Sequence, residues 1–359
     1  MKKVIFALAA VVALAACSQE DVIVADKGAA IGFDTFVENS TRSVYDPSYT
    51  NSNLFANFGV YGYVENAVLF NNVEVTGSGL NGEWSYADNL TQYWITGAKY
   101  NFAAIAPKAN AHKDVVFSVA LNGDEYVGTT VLPFTNVDGT NDLLYAQNAQ
   151  YVAGVSGQNG KVEFNFRHLL SKVKFSFENA YNASNATIRV KNVQITDAYA
   201  NGVATLNANT AWAPTNNNLT LNFGNAAEAS ETAEEAFACN TTLESYNELL
   251  MIPGAGATSF TVTNGGTPTS KTGYTIVFDV ELLVSGTVVK TYPHTIYTDF
   301  APVAGNSYDL KATINATNID PEHAQEPIQF TVTTINDWAN GNTQDSDDDD
   351  TVNDYYPLN

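Results

Sequence analysis

Apolar and polar residues alternate with a period of two along much of the chain. Val162, Phe164 and Phe166 alternate with Lys161, Glu163 and Asn165, and Val173, Phe175 and Phe177 with Lys172, Lys174 and Ser176. Tyr274, Ile276, Phe278, Val280 and Leu282 form the longest clean stripe. Tyr308, Leu310, Ala312 and Ile314 form another, as do Ile328, Phe330 and Val332. Successive side chains of a strand point to opposite faces, so each stripe predicts a strand with one packed and one wet side. Such strands belong in antiparallel sheets. Turn clusters separate them: Gly77-Ser78-Gly79, Asn122-Gly123-Asp124, Asp138-Gly139-Thr140 and Asn264-Gly265-Gly266. Strands and turns at this spacing predict an all-β fold of two β-sandwiches. Helical periodicity is poor. Its best stretch, Ala226 to Phe237, is acidic and reads as a short surface helix or a loop. The Gly154-to-Gly160 segment is the best linker, which divides the chain into sandwiches at 43–160 and 161–338. Residues 339–359 form a polar, acidic tail.

Composition narrows the function. Of 359 residues, 38 are acidic and 16 basic, a formal charge of −22. Nucleic acid is held by clustered Lys and Arg, which are missing here, so it is excluded as a partner. Electrostatic docking on anionic lipid is excluded on the same ground. At 45% hydrophobic residues the chain is too apolar for disorder.

The N-terminus reads as an address. Lys2 and Lys3 precede an apolar run from Val4 to Leu14, too short to span about 30 Å of hydrocarbon. Residues 1–16 are therefore expected to be a signal peptide. Leu14-Ala15-Ala16-Cys17 resembles a bacterial lipobox, in which Cys17 would be diacylated and become the new N-terminus. Acyl chains at about 0.8 kcal/mol per buried CH₂ would hold the chain to a membrane without a transmembrane helix. The other reading is ordinary signal cleavage beside an incidental cysteine. With Cys17 lipidated, Cys239 has no disulfide partner.

Motifs for chemistry are wanting. Gly154 to Lys161 has five residues between its outer glycines where a phosphate loop has four, and Val162 stands in the place of the metal-binding Ser or Thr. His112, His168, His294 and His323 are scattered, without metal-ligand spacing. Asp345, Asp347 and Asp349 alternate as in a calcium loop, but Asp350 and Tyr356 occupy the places of its Gly and Glu. Cys239 lies outside any nucleophile motif. The expectation is no enzyme, no cofactor and no metal.

Several segments, in one order, resemble the fimbrillin family, the lipoprotein pilins of type V pili. Trp94, Gly97, Tyr100, Phe102, Ala104 and Pro107 are similar to its W-x-x-G-x-x-Y-x-F-x-A-x-x-P stretch, and Asp142-Leu143-Leu144-Tyr145-Ala146 to its D-L-L-x-A element. Phe166-Arg167-His168-Leu169-Leu170-Ser171-Lys172-Val173-Lys174-Phe175 is similar to F-x-H-x-L-S-K-V-x-F. Leu249 to Pro253, Gly305 to Tyr308, Ile328 to Val332 and Asn336 to Trp338 resemble later elements. The tryptophan often placed before the late turn is missing at Ala301-Pro302-Val303-Ala304. Ser18-Gln19-Glu20-Asp21 resembles the surface-export signal of lipoproteins in bacteria that make such pili.

The resemblance implies two tandem transthyretin-like β-sandwiches and a subunit of a cell-surface fimbria. It implies an arginine-specific protease cutting between Arg42 and Ser43, which would release residues 17–42 as a lipidated propeptide. Ile31, Phe33 and Thr35 alternate with Gly32 and Asp34, so the propeptide would carry the first strand away and uncover an apolar groove. A strand of another copy, or of a related fimbrial subunit, would fill it by β-augmentation. Val352, Tyr356 and Leu358 make a thin stripe able to serve as that donor strand; the other reading of the tail is an end without a partner. Asp350-Thr351-Val352 fits a D-S/T-aliphatic pattern of O-glycosylation at Thr351. The alternative function is a tip adhesin or a non-polymerising surface lipoprotein that binds a host or microbial ligand.

Overall fold

The computed structural model describes residues 29–37, 56–77, 83–108, 114–152, 160–207, 210–227, 235–245, 247–264, 267–324, 328–335, 349–351 and 354–355. Of the residues singled out above, Cys17, Arg42, Ser43, Val352, Tyr356 and Leu358 lie outside them, and Thr351 lies within. Strands are numbered in chain order.

The described residues are almost all β, in four sheets. The first runs β1 (Phe33–Val37), β8 (Val162–His168), β7 (Leu144–Val152), β4 (Lys99–Ala106), β2 (Asn57–Val64), β3 (Ala67–Thr76). The second, of four strands, runs β12 (Thr210–Thr215), β11 (Asn201–Leu206), β6 (Glu125–Thr135), β5 (Val116–Asn122). The third runs β14 (Ala226–Ala227), β15 (Thr241–Ser245), β9 (Ser171–Asn179), β20 (Ser307–Ile314), β21 (Phe330–Ile335), β22 (Asp349–Thr351), with β16 (Leu249–Met251) also on β9. The fourth runs β13 (Leu219–Gly224), β10 (Ala186–Ala198), β18 (Thr267–Val284), β19 (Thr287–Thr298), β23 (Asp354–Tyr355), with β17 (Thr258–Asn264) on β18.

The alternating stripes are the packed faces. Sheets three and four close on each other through Phe175 against Phe223 (4.8 Å), Phe177 against Phe278 (5.2 Å) and Phe278 against Phe330 (6.1 Å). Sheet two covers one face of sheet one, where Tyr63 meets Phe117 at 5.6 Å. Edge-to-face and tilted rings at these separations add to the burial term. The chain is thus two β-sandwiches in sequence, as its periodicity predicts.

Three details depart from the sequence expectations. The strand after Gly160 pairs with β7 and, in parallel, with β1, so it belongs to the first sandwich and the sheet changes only at Leu169-Leu170. The β11–β12 hairpin then returns to β6, because β6 is long enough to pair β5 with one half and β11 with the other. Ala226 and Ala227 are strand rather than helix, and Phe237 is buried and bridges Ile188.

Candidate functional site

β1 ends the first sheet, and its seating defines the candidate site. Ile31, Phe33 and Thr35 are each 1% exposed, while Gly32 and Asp34 face outward. The ring of Phe33 packs against Phe70 (5.4 Å), Tyr86 (5.6 Å), Phe164 (5.8 Å, stacked) and Phe102 (6.3 Å). Gly62 makes this nest possible, since a Cβ there would lie 2.9 Å from both the Phe70 and Phe102 rings. On one side β1 follows β8 in parallel, Phe33 beside Val162 through Val37 beside Phe166. The residues just before it are held by a second strip of chain: Ile31 N donates to Gln92 O (2.8 Å), Trp94 N to Ala29 O (3.1 Å) and Tyr86 Oη to Ile31 O (2.8 Å).

The 84–98 segment roofs the face of sheet one that sheet two leaves bare. Trp84 meets Phe58 at 5.0 Å, and Trp94 meets Tyr100 at 4.8 Å. Its return depends on Gly97, whose φ of +79° is left-handed backbone, and on Ile95 N donating to Tyr100 Oη at 2.7 Å. This explains the W-x-x-G-x-x-Y-x-F pattern physically: it folds a loop of aromatics onto the groove wall. Sequence alternation misses Trp84 and Tyr86, because loop residues carry no period.

The Asp142-to-Ala146, Phe166-to-Phe175 and Gly305-to-Tyr308 segments meet where the sandwiches join. His168 Nδ1 lies 2.8 Å from Asp142 Oδ2, Leu169 N donates to Leu143 O, and Gly305 N to Leu170 O. Ser171 Oγ donates to Val303 O (2.7 Å), Val303 N to Tyr308 Oη (3.1 Å) and Trp212 Nε1 to Leu169 O (2.9 Å). His168 is thus half of a structural pair. His323 differs from the scattered reading above: with Asp320 and Glu322 it forms a group within 4.8 Å, although Asp320 is already bridged to Lys290 at 3.0 Å.

At the other end, β22 lies on β21, with Thr351 opposite Thr331. β23 lies on β19, with Tyr355 opposite Tyr297. The tail therefore touches the edge of both sheets of its own second sandwich. Among the described residues no helix is long and apolar enough to cross a membrane.

Comparison with known proteins adds the following. A solved candidate cell adhesion protein from Bacteroides uniformis is 17% identical, with 88% of this chain and 99% of that one covered and a TM-score of 0.44. One from Bacteroides ovatus is 14% identical, with 85% and 95% covered and a TM-score of 0.44. The fimbrial anchor protein Mfa2 from Porphyromonas gingivalis is 11% identical, with 85% and 97% covered and a TM-score of 0.31. No curated protein sequence matches. A profile described as Fimbrillin-like matches residues 41–338. That match takes in most of the chain, which therefore belongs to the fimbrillin-like family.

Proposed function

We propose that the chain is a non-enzymatic structural subunit of a cell-surface fimbria, exported to the outer membrane as a lipoprotein through Cys17. Cleavage between Arg42 and Ser43 by an arginine-specific protease then frees it to polymerise by strand exchange. The observation that supports this most is the seat of β1. It is a terminal strand, it ends at Val37, and its Phe33 fills a nest of four rings that would otherwise face water. A cut five residues beyond Val37 severs β1 from the rest of its sandwich, so the strand can leave without unravelling the fold. A strand from a neighbouring subunit, placing an apolar side chain in the Phe33 nest, would restore both the ladder to β8 and the buried surface.

N-terminal sequencing of surface-released protein tests the reading. The expected first residue is Ser43, and Arg42→Ala is expected to leave the lipidated form uncut and abolish polymer. A Cys17-lipidated chain as the only mature species in the parent would overturn it.

One observation favours the alternative, a tip or non-polymerising surface protein that binds a host or microbial ligand: the tail pairs with its own sandwich. A donor tail must first leave those edges. The two ladders are short, three and two residues, so their release is cheap. Extended at roughly 3.3 Å per residue, residues 339–359 reach about 70 Å. Val352, Tyr356 and Leu358 would be the inserted side chains, and a glycan on Thr351 would block insertion. Deletion of 351–359 decides between the readings. If the tail is the donor, the truncated chain is expected to fold but not polymerise; fibres that still assemble would remove the tail from the mechanism.

A further inference from the structure

In a chain with a formal charge of −22, cations are scarce. Among the described residues, Lys108, Lys161, Lys172, Lys174, Arg189, Lys191, Lys271, Lys290 and Lys311 each lie within 4.0 Å of a carboxylate oxygen. Lys99 donates to the Asp124 carbonyl at 2.6 Å. Of the described cations, Arg167 alone has no anionic or carbonyl partner among the described residues; its guanidinium lies over the ring of Tyr145, 5.8 Å from the centroid. It is exposed, on the outward face of β8, directly opposite Tyr145 on β7.

Arg167 lines an open groove of about 570 Å³ between strands β7 and β8 of sheet one and β6 of sheet two. Its floor is rigid. Tyr145 Oη lies 2.8 Å from Thr130 Oγ1 and donates to Gln147 Oε1 at 2.9 Å, while Gln147 Nε2 donates to Gly128 O at 2.9 Å. Burial pushes the Tyr145 phenol up to about 12, so it stays a neutral platform beneath the guanidinium. Tyr126, half-buried, supplies a second ring, and Asn165 supplies an amide. Glu125 also lines the groove but makes no ion pair with Arg167.

We propose that this groove binds a carboxylate-bearing sugar, with Arg167 holding the carboxylate. A guanidinium fork matches one carboxylate in a bidentate pair. A single cation beside Glu125, on so acidic a protein, suits one negative charge and disfavours a phosphate or a polyanion. Amides present the mixed donors and acceptors that hydroxyls need, and the ring of Tyr126 offers an apolar face for sugar C–H groups. An apolar pit for a peptide side chain is missing, since Val127 is the one aliphatic side chain larger than alanine among the lining residues. Among the described residues, β1, β22 and β23 contribute nothing to its lining.

The test is titration of the purified full chain with a glucuronate-containing disaccharide to about 10 mM, following the Arg167 Nε–H and Tyr126 ring resonances by NMR; this range captures the weak affinity of an open, single-ion site. Saturable shifts are expected. The same disaccharide with its carboxyl reduced to the alcohol is expected to bind at least tenfold more weakly, as is the acid sugar to Arg167→Lys, which keeps the charge but loses the fork. Thermal melting of Arg167→Lys should match the parent, since the side chain is exposed. Absent shifts, equal binding of the carboxyl-reduced sugar, or equal binding to Arg167→Lys would overturn the proposal. N-acetylglutamate amide binding as tightly as the disaccharide would overturn the sugar assignment.

Discussion

In Phe33→Ala, the backbone amide of Val162 is expected to exchange with solvent about 100-fold faster than in the parent chain. That amide donates to Gly32 O at 2.8 Å, so it opens only when the first strand leaves β8. Removing a buried phenyl ring costs about 3–5 kcal/mol in a closed core. Phe33 sits on a terminal strand that can shift to narrow the cavity, so the lower figure applies, and about 3 kcal/mol is about 100-fold in an opening equilibrium. Amides of β18, in the second sandwich, are expected to keep their parent rates, because undocking of β1 leaves the β10–β18–β19 ladder intact. Asp34→Ala is the matching control. The Asp34–Lys161 contact is 4.0 Å long with both side chains substantially exposed, a geometry worth a few tenths of a kcal/mol. A Val162 amide no faster in Phe33→Ala than in Asp34→Ala would mean that the aromatic nest does not hold the strand.

The same strand shows what the sequence carries and what it leaves out. Ile31, Phe33 and Thr35 announce a packed face by period alone, and all three are buried. That β1 runs parallel to β8, about 130 residues later, is a long-range pairing that no local pattern encodes. β4 hides for the opposite reason. Covered by sheet two on one side and the aromatic roof on the other, it is buried at seven consecutive positions and shows no alternation. The early boundary at Gly160 has a related cause: a glycine-rich segment punctuates two strands of one sheet as readily as two domains.

The groove at Arg167 was illegible for a geometric reason. Its lining comes from β6, β7, β8 and the residue following β11, and sheet pairing alone brings these together. Within the Phe166-to-Phe175 segment, Arg167 reads as one more outward-facing polar residue. Its lack of a carboxylate partner emerges only once the other cations have found theirs. The proposed lipid, cleavage and donor-strand residues are the converse case: each is read from a short sequence pattern with no dependence on packing.

The second sandwich should lose about 3 kcal/mol of stability between pH 6.5 and pH 4 through His294 alone. His294 is 2% exposed and stacks on Phe278 at 5.0 Å. Its Nε2 lies 3.1 Å from Ile319 O, and since a carbonyl only accepts, Nε2 carries the proton. Nδ1 is then bare and buried without a hydrogen-bond partner, so a second proton would have nowhere to donate. Burial pulls the imidazolium down to about 4, against the opposing pull of the Ile319 carbonyl and of Asp279 and Asp320. Below an unfolded value near 6.5 the unfolded chain takes up a proton that the folded chain refuses until about pH 4. The contribution is therefore complete above pH 6.5, falls as the pH drops, and stops changing below 4. His294→Phe keeps the ring stack but strands the Ile319 carbonyl, at about 1 kcal/mol at every pH. Urea unfolding of the two chains should then give curves that cross: the parent more stable at pH 7, the variant more stable near pH 4. Carboxylates titrating elsewhere bend both curves alike and cancel in the difference. Parallel curves over that window would show that His294 does not remain neutral in the fold.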